Sequence, residues 1–386
     1  MVKGQFSGHY DVLLVGAGLY NAVLAHRFQK MGLKVCVVER RPGDEIGGNC
    51  ATEERDGIMI HKYGAHIFHT SDKSAWEFAN KFANFMPYVN SPIAKVITDT
   101  SVRTYNLPFN MNTFSKLFET NTPEQATARI LEETKSHIKE SYNNLEEKAL
   151  SMVGESIYKR LIKGYTEKQW GRPCRELPPD IITRIPLRFT YDNNYFNDIY
   201  QGIPDEGYSQ WIKNMFGNCT LFSGVDYVSN REELDKIADH IFYSGRVDEL
   251  FGYKYGKLEY RSLKFVTKKL DCDNHQGVAV FNYTSETPAY TRTIEHRHFM
   301  TAEAQKKITP NTTYVTTEYP ANMDETNEPF YSVNNKVNND LYAKYAAECP
   351  SNVTFVGRLG MYKYNDMDDT IISALNMDLS RFAKKI

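Results

Sequence analysis

The N-terminal stretch carries residues whose types and spacing could bind a dinucleotide. The apolar run Tyr10–Val15 suits a buried parallel strand, and Gly16-Ala17-Gly18 follows it as a tight turn into an apolar helical repeat. Gly18 would let the backbone approach a pyrophosphate at the positive end of that helix. Glu39 ends the next strand about twenty residues on, where a carboxylate accepts hydrogen bonds from a ribose. An ordinary strand–turn–helix is the alternative, but the order of the pieces favours dinucleotide binding.

The third glycine of this fingerprint is absent, because Asn21 stands in its place. A glycine at this position serves close packing between helix and strand. Asn21 therefore predicts either a slightly wider crossing or a side chain that turns outward.

Two later segments could pass their backbone against a flat ligand. Ile46–Asn49 contains a glycine pair, for which a plain turn is the alternative, and Gly64-Ala65-His66 would leave His66 polar and partly buried. His61, His66 and His69 fall within nine residues, which raises the possibility of a metal. Cysteines and closely spaced acids are missing nearby, so we expect no metal site.

Two arginines and a tryptophan are candidates for holding a nucleotide. The proline-rich stretch Pro173–Pro179 precedes Arg184 and could be a mobile lid that brings a guanidinium onto a phosphate, with a solvated connector as the alternative. Arg292 is a second candidate, with a surface salt bridge as its alternative. Trp170 stands close to two glycines and either stacks on a ligand or packs in the core.

The elements that must position these residues alternate between helical and strand patterns in the first half. Ser74–Phe85 and the region from Thr113 to about Leu161 repeat at helical spacing, with Thr122 as a cap. Ile93–Leu107 predicts a hairpin of strands between them.

The second half returns to the nucleotide-binding pattern. Val225–Ser244 predicts strand, helix and strand, whereas Tyr253–Tyr290 alternates as an antiparallel sheet does. Val353–Gly360 predicts a buried strand that runs into a glycine turn, and a closing helix is expected over Thr370–Ala383. A late strand–glycine–helix unit of this type favours FAD over NAD as the tightly held nucleotide.

Composition limits the possible partners. The chain has 386 residues, enough for two or three domains, and its formal net charge of −2 gives no field that favours nucleic acid or membrane. We find no apolar run of membrane-spanning length and no hydrophobic signal core. The six cysteines are scattered without metal or disulfide spacing, which fits a reducing cytoplasm.

Taken together, these residues resemble the bacterial-type UDP-galactopyranose mutases over nearly the whole chain. Several separate motifs carry the resemblance: Gly16-Ala17-Gly18, Ile46–Asn49, Gly64–Thr70, Gly164–Gly171, Asp192–Phe196, Tyr243–Gly245 and Phe355–Leu359. The family often has two phenylalanines before its Lys-Gly-Tyr-Thr motif, where this chain has Leu161 and Ile162.

The resemblance implies an α/β fold: a discontinuous Rossmann-like FAD-binding domain, a helical domain with the lid, and a six-stranded antiparallel β-sheet domain. The implied FAD-binding domain comprises residues 1–83, 205–250 and 334–386. The implied helical domain comprises residues 84–187, of which the strands at about 91–109 join the sheet. The implied sheet domain comprises one strand within 188–204 together with residues 251–333.

The resemblance also implies roles for individual residues. The catalytic set would be Arg184, Arg292, His66 and Tyr364. The substrate-binding set would be Asn90, Tyr165, Thr166, Trp170, Arg184, Tyr195, Asn282, Arg292, Tyr331, Tyr364 and Asp366. The cofactor-binding set would be Gly16, Gly18, Leu19, Glu39, Arg40, Gly47, Gly48, Asn49, His66, Ile67, Gly357, Arg358, Asp366 and Met367.

The implied activity is interconversion of UDP-galactopyranose and UDP-galactofuranose, with N5 of reduced FAD as the nucleophile at the anomeric carbon and no net redox change. NAD(P)H or another reductant would reduce the flavin. A cytoplasmic homodimer that supplies galactofuranose for surface polysaccharide is the family expectation. The alternatives are the same chemistry on UDP-N-acetylgalactopyranose or a nucleotide-linked deoxysugar, an FAD-dependent amine oxidase or desaturase, and a flavoprotein that only binds a nucleotide sugar.

Overall fold

The computed structural model describes residues 6–43, 45–182, 186–324 and 327–383. Its strands are β1 (Tyr10–Val15), β2 (Val35–Glu39), β3 (Thr52–Arg55), β4 (Ile58–His61), β5 (Phe68–Thr70), β6 (Phe85–Pro87), β7 (Ile93–Ile97), β8 (Val102–Asn106), β9 (Tyr200–Pro204), β10 (Thr220–Ser223), β11 (Ala238–Tyr243), β12 (Tyr260–Leu270), β13 (Val280–Tyr283), β14 (Arg292–Glu295), β15 (Thr313–Asn322), β16 (Pro329–Ser332) and β17 (Val353–Phe355).

The α-helices are α1 (Leu19–Lys30), α2 (Lys73–Ala79), α3 (Met111–Phe118), α4 (Pro123–Thr134), α5 (Leu145–Ile157), α6 (Gly164–Trp170), α7 (Gly207–Phe216), α8 (Arg231–Leu234), α9 (Val247–Leu250), α10 (Ala302–Gln305), α11 (Lys336–Ala346), α12 (Gly357–Gly360) and α13 (Met367–Asn376). A π-helical segment, Tyr158–Lys163, joins α5 to α6. Among the described residues, no helix is both long enough and apolar enough to cross a membrane.

The predicted nucleotide-binding unit is a five-stranded parallel sheet with the order β10-β2-β1-β11-β17. Its central strand β1 is almost entirely buried, as expected for an apolar strand covered on both faces. Helices α1, α7 and α13 cover one face. Because its strands come from three separate parts of the chain, the sheet is discontinuous, and the predicted Rossmann-like fold is confirmed.

Of the two alternatives predicted for Asn21, the outward-turned side chain was wrong. Its side chain is 1% exposed and points inward, where Nδ2 donates to the carbonyls of Val15 (2.8 Å) and Gly16 (2.9 Å). Those carbonyls lie where β1 ends and the turn begins, so a short amide side chain can satisfy them. Asn21 therefore fastens the turn to the helix through these two hydrogen bonds.

The second large sheet has seven strands in the order β16-β12-β15-β14-β13-β7-β8. The expected six-stranded antiparallel sheet was wrong in number and in one pairing, because β13 and β7 run parallel. The hairpin β7–β8 lies at the edge beside β13, and its first strand has the same direction as β13. Every other pairing in this sheet is antiparallel.

The strand expected in the sheet domain over 188–204 is placed elsewhere. Residues Tyr200–Pro204 form β9, which pairs with β5 and β6 in a separate three-stranded sheet. Strands β9 and β6 approach so closely at Gly202 that a side chain does not fit there, since a Cβ would lie 2.7 Å from the Met86 carbonyl oxygen. The remaining domain boundaries stay predictions.

Several local predictions differ in their bounds. Thr122 caps α4 as predicted, accepting from the Gln125 amide. The long helical region divides into α3, α4, α5 and the π-helical segment, and α2 ends at Ala79 rather than Phe85. The strand predicted to begin at Val225 is instead β10, which ends at Ser223. The closing helix predicted over Thr370–Ala383 is α13, which ends at Asn376.

We predict that Asn21→Ala destabilises the nucleotide-binding sheet. The Gly16 carbonyl would lose its side-chain donor, and an unsatisfied buried polar group costs about 1–3 kcal/mol. The Val15 carbonyl would lose one of its donors but keep the Ser244 hydroxyl at 2.6 Å. Urea unfolding should show a clear loss of unfolding free energy. Asn80→Ala is the matched control, because the Asn80 amide donates to Trp76 O in an exposed hydrogen bond at the end of α2. Equal stability of the two variants would contradict this role.

Candidate active site

A cavity of about 770 Å³ extends from the carboxyl ends of the parallel strands to the seven-stranded sheet. This is where open α/β sheets bind ligands. All fourteen residues of the predicted cofactor set line it, and so do six residues predicted to hold substrate: Asn90, Tyr195, Asn282, Arg292, Tyr331 and Tyr364.

The turn after β1 is shaped to receive a phosphate. Gly18 caps α1 without a side-chain hydrogen bond, and a Cβ built on it would meet no atom within 4 Å. The space beside Gly18 at the start of α1 is therefore open, as a helix terminus that binds an anion requires. Gly16 has φ +94°, and its Cβ would lie 2.4 Å from Ser244 Oγ, so a side chain does not fit there.

Glu39 lies at the end of β2 and its carboxylate is already oriented. One oxygen accepts from the Ala17 amide at 2.8 Å and the other from the Arg41 amide at 3.0 Å. The carboxylate has lone pairs beyond these two bonds, so it can still accept from a ribose hydroxyl. The geometry fits the predicted role for Glu39.

A charged cluster beside Glu39 was missed by the sequence reasoning. Arg41 donates to the Gly48 carbonyl (2.9 Å) and to Glu328 (2.5 Å), and its guanidinium lies 4.5 Å from the centre of the Tyr63 ring. Arg40, predicted to bind cofactor, pairs with Glu328 at 3.2 Å. Glu328 is 287 residues from Arg41, and no local pattern connects the two.

The three histidines of the early segment have structural contacts rather than a metal-like arrangement. The His66 amide donates to Nδ1 of His61 (3.1 Å), and the His61 amide donates to Nδ1 of His296 (3.2 Å). His69 pairs with Asp198. In the part of the chain that the structure describes, no group of three or more His, Cys, Asp or Glu side chains could hold a metal ion.

Arg292 begins β14 at the far end of the cavity. Its side chain is 31% exposed, its Nη1 lies 3.7 Å from the buried Glu318 carboxyl group, and its guanidinium lies 5.8 Å from the Tyr165 ring centre. Burial opposes the charge, but Tyr165 and Glu318 outweigh it and raise the pKa of Arg292. Arg292 therefore stays cationic.

Polar atoms around Arg292 lack complete hydrogen bonding. Among the described residues, three buried atoms here have no partner: Arg292 Nε, Asn282 Oδ1 and Glu318 Oε2. Buried polar groups are normally satisfied, so orphans that cluster in a cavity indicate a polar ligand. Burial raises the pKa of Tyr195 and of Tyr331, which keeps both phenols protonated as donors.

Another arginine, Arg358, and two aromatic rings also line the cavity. The Arg358 guanidinium lies 4.6 Å from the Tyr364 ring centre, and its Nη2 donates to the Phe330 carbonyl at 2.6 Å. Tyr364 stacks near Tyr331 with ring centres 6.1 Å apart. Asp366 precedes α13 and Met367 begins it.

The predicted base-binding residues lie next to the cavity rather than in its lining. Tyr165 reaches Arg292, Thr166 is buried, and Trp170 packs partly buried against the helical-domain core. Arg184, predicted for the lid, lies outside the described residues.

Comparison with known proteins decides the family. The family model for UDP-galactopyranose mutase matches residues 160–364, and one for NAD(P)-binding Rossmann-like domains matches residues 14–82. The chain is 38% identical over 370 residues to a probable UDP-galactopyranose mutase of Klebsiella pneumoniae, covering 95% of this chain and 93% of the relative. It belongs to the UDP-galactopyranose mutase family. The predicted family is therefore confirmed, and with it the enzyme class, an isomerase.

Two further similarities qualify this result. The chain is 34% identical to the dTDP-fucopyranose mutase of Escherichia coli, covering 94% of this chain and 96% of the relative. A crystal structure of reduced UDP-galactopyranose mutase has the same fold, with a TM-score of 0.66 and 14% identity over 95% of this chain and 94% of that one.

The histidine contacts predict acid sensitivity. Burial lowers the pKa of His296 to about 3 and that of His61 well below its ordinary value of 6.5. The unfolded chain therefore takes up protons below pH 6.5 while the folded chain does not. The unfolding free energy should fall by about 1.4 kcal/mol per pH unit for each of these two histidines.

Urea unfolding between pH 7 and pH 5 measures this slope, in a range where most carboxylates stay ionised. His296→Gln should give a shallower slope. A free energy that stays constant or rises as the pH falls would contradict the assignment.

Proposed function

We propose that the protein interconverts UDP-galactopyranose and UDP-galactofuranose with FAD bound in the cavity. The observation that carries the proposal is the partly exposed Arg292 among orphaned polar atoms, at the opposite end of one cavity from a phosphate-shaped turn. The family membership supports the reaction class.

The residues present fit FAD. Gly16 and Gly18 would receive its pyrophosphate at the start of α1, and Glu39 would accept from the adenosine ribose. Gly47, Gly48 and Asn49 pass beside this turn, with a Cβ on Gly48 only 3.4 Å from the Gly18 Cα. Bound FAD in its reduced form supplies a nucleophile for the anomeric carbon, and the isomerisation needs no net redox change.

The substrate diphosphate would lie against Arg292. Negative charge grows on the diphosphate as its bond to the sugar breaks, and a fixed guanidinium stabilises that charge. Removal of such a donor typically costs about 3–4 kcal/mol in the barrier. Tyr195, Tyr331 and Tyr364 would donate hydrogen bonds to it from their hydroxyl groups, and the orphaned Asn282 Oδ1, an acceptor, would accept from a substrate hydroxyl.

The sugar and the base would lie on either side of the diphosphate. Asn90 and His66 line the cavity and would contact the sugar. Burial lowers the pKa of His66 to about 4, and its Nδ1 lies 2.9 Å from the Gly64 carbonyl. His66 would thus be neutral, with Nδ1–H donating and Nε2 available as an acceptor.

Tyr165, Thr166 and Trp170 would hold the uracil, and Arg184 would close over the diphosphate as the lid arginine. A released diphosphate must remain close to the sugar for the reverse attack, and lid closure serves that need. Arg358, Asp366 and Met367 would line the flavin end.

A second candidate is the same chemistry on another nucleotide sugar. The 34% identity to a dTDP-fucopyranose mutase favours it, because base and sugar both differ in that relative. Leu161 and Ile162 belong to the buried core of the helical domain and offer no aromatic ring on which a base could stack. The proposal also includes NAD(P)H as reductant, a homodimer, a cytoplasmic location and a role in cell-surface polysaccharide synthesis.

Product analysis tests the function. The purified protein should be yellow, and dithionite-reduced protein should convert UDP-galactofuranose to UDP-galactopyranose while oxidised protein does not. UDP-N-acetylgalactosamine and dTDP-fucopyranose are parallel substrates. Equal turnover by oxidised protein would contradict the proposal, and faster turnover of dTDP-fucopyranose would establish the second candidate instead.

A further inference from the structure

The ammonium group of Lys168 makes three main-chain hydrogen bonds that the proposed mechanism does not use. Lys168 lies on α6, three residues after Tyr165 and two before Trp170. Its Nζ donates to the carbonyls of Tyr283 (2.9 Å), Pro288 (2.9 Å) and Tyr290 (3.0 Å). An ammonium has three donors, so these carbonyls use all of them.

The three carbonyls belong to the end of β13 and to the turn 284–291 that leads into β14. This turn ends one residue before Arg292. Thr291 is fixed in turn by Glu318, whose carbonyl accepts from the Thr291 amide at 2.9 Å and whose carboxyl accepts from Thr291 Oγ1 at 3.2 Å. Lys168 therefore holds the segment that presents Arg292.

The helix and the turn are also in close contact before Lys168. A Cβ on Gly164 would lie 2.5 Å from the Thr284 carbonyl oxygen, so only glycine fits at the start of α6. Thr284 Oγ1 donates to the Arg160 carbonyl at 2.9 Å. These contacts fix the N-terminal end of α6 against the turn. Lys168 fixes the C-terminal part of the helix, which continues to Trp170.

We propose that Lys168 is a positioning residue that sets the spacing between the base subsite and the diphosphate subsite. The Lys168 side chain joins the helix that carries Tyr165, Thr166 and Trp170 to the turn that leads directly into Arg292. This inference rests on the proposed function for the identity of the ligand. It assigns Lys168 no contact with substrate, and the three carbonyls leave its ammonium no donor for a phosphate.

Three variants test the proposal. Lys168→Met keeps the aliphatic stem and removes the donors. Lys168→Arg keeps the charge, but a planar guanidinium cannot match three carbonyls around one nitrogen. Lys159→Met is the control, because Lys159 lies in the π-helical segment before α6 and pairs on the surface with Glu155.

The measurements are the Kd of UDP for the oxidised flavoprotein, KM and kcat of the reduced protein, flavin content and Tm. For Lys168→Met we expect UDP Kd and KM to rise about tenfold, since unpaired carbonyls let the turn move. Flavin content should be unchanged, because no residue of α6 lines the cavity. Lys168→Arg should recover part of the affinity, and Lys159→Met should match the original protein.

The possible results distinguish failure of the Lys168 inference from failure of the proposed function. A lowered Tm with unchanged Kd and KM per flavin-loaded molecule would reduce Lys168 to a structural contact and overturn the inference alone. If the original protein itself neither binds UDP nor turns over the UDP-sugar, the proposed function fails instead. In an Arg292→Lys background the effect of Lys168→Met should be smaller, and full additivity would also contradict the proposal.

Discussion

The contact between Arg292, Glu318 and Tyr165 is the interaction on which the rest of the site depends. It brings together a strand of the seven-stranded sheet and a helix of the helical region. Removing charged groups from water costs several kcal/mol each unless partners replace the water. Here the hydrogen bonding is incomplete, since Arg292 Nε and Glu318 Oε2 have no hydrogen-bond partner among the described residues. A polyanionic ligand beside the guanidinium would supply the acceptor that Arg292 Nε lacks, whereas Glu318 Oε2 is an acceptor and would need a donor such as a ligand hydroxyl.

The two sheets contribute different halves of the cavity for a physical reason. Parallel strands that end together expose the start of a helix, which suits a pyrophosphate, and β1 with α1 provides this at Gly16–Leu19. An antiparallel sheet offers alternating side chains on a broad face, which suits a long polar substrate. Arg292 and Asn282 face each other in the register between β13 and β14 on that face. The chain must leave the first sheet and return to build both, which explains the discontinuous domain.

Local patterns predicted the parts of the site whose causes are local. Gly16, Gly18 and Glu39 could be read from one stretch, because strand, turn and helix are adjacent in sequence. Asn21 was misjudged, since its partners are main-chain carbonyls and only the folded turn shows that they need a donor. The Arg41–Glu328 pair joins distant segments and left no pattern to read. Whole-chain resemblance, rather than spacing, supplied the expectations for Tyr195 and Tyr331.

The same limit explains the error in strand assignment. The resemblance implied one strand of the sheet domain over 188–204, whereas Tyr200–Pro204 pairs with the neighbouring β5 and β6, and Gly202 allows the close approach to the Met86 carbonyl. A strand pattern specifies which face is buried and does not specify the partner strand. The partner strands of Tyr200–Pro204 are therefore determined by tertiary pairing, which a strand pattern in the sequence does not specify.

A crystal structure of the FAD-loaded protein with UDP tests the central claim most directly. Our account predicts that the diphosphate lies within hydrogen-bonding distance of the Arg292 guanidinium and that the uracil lies beside α6. A diphosphate bound elsewhere in the cavity, with Arg292 still paired only with Glu318 and Tyr165, would contradict it.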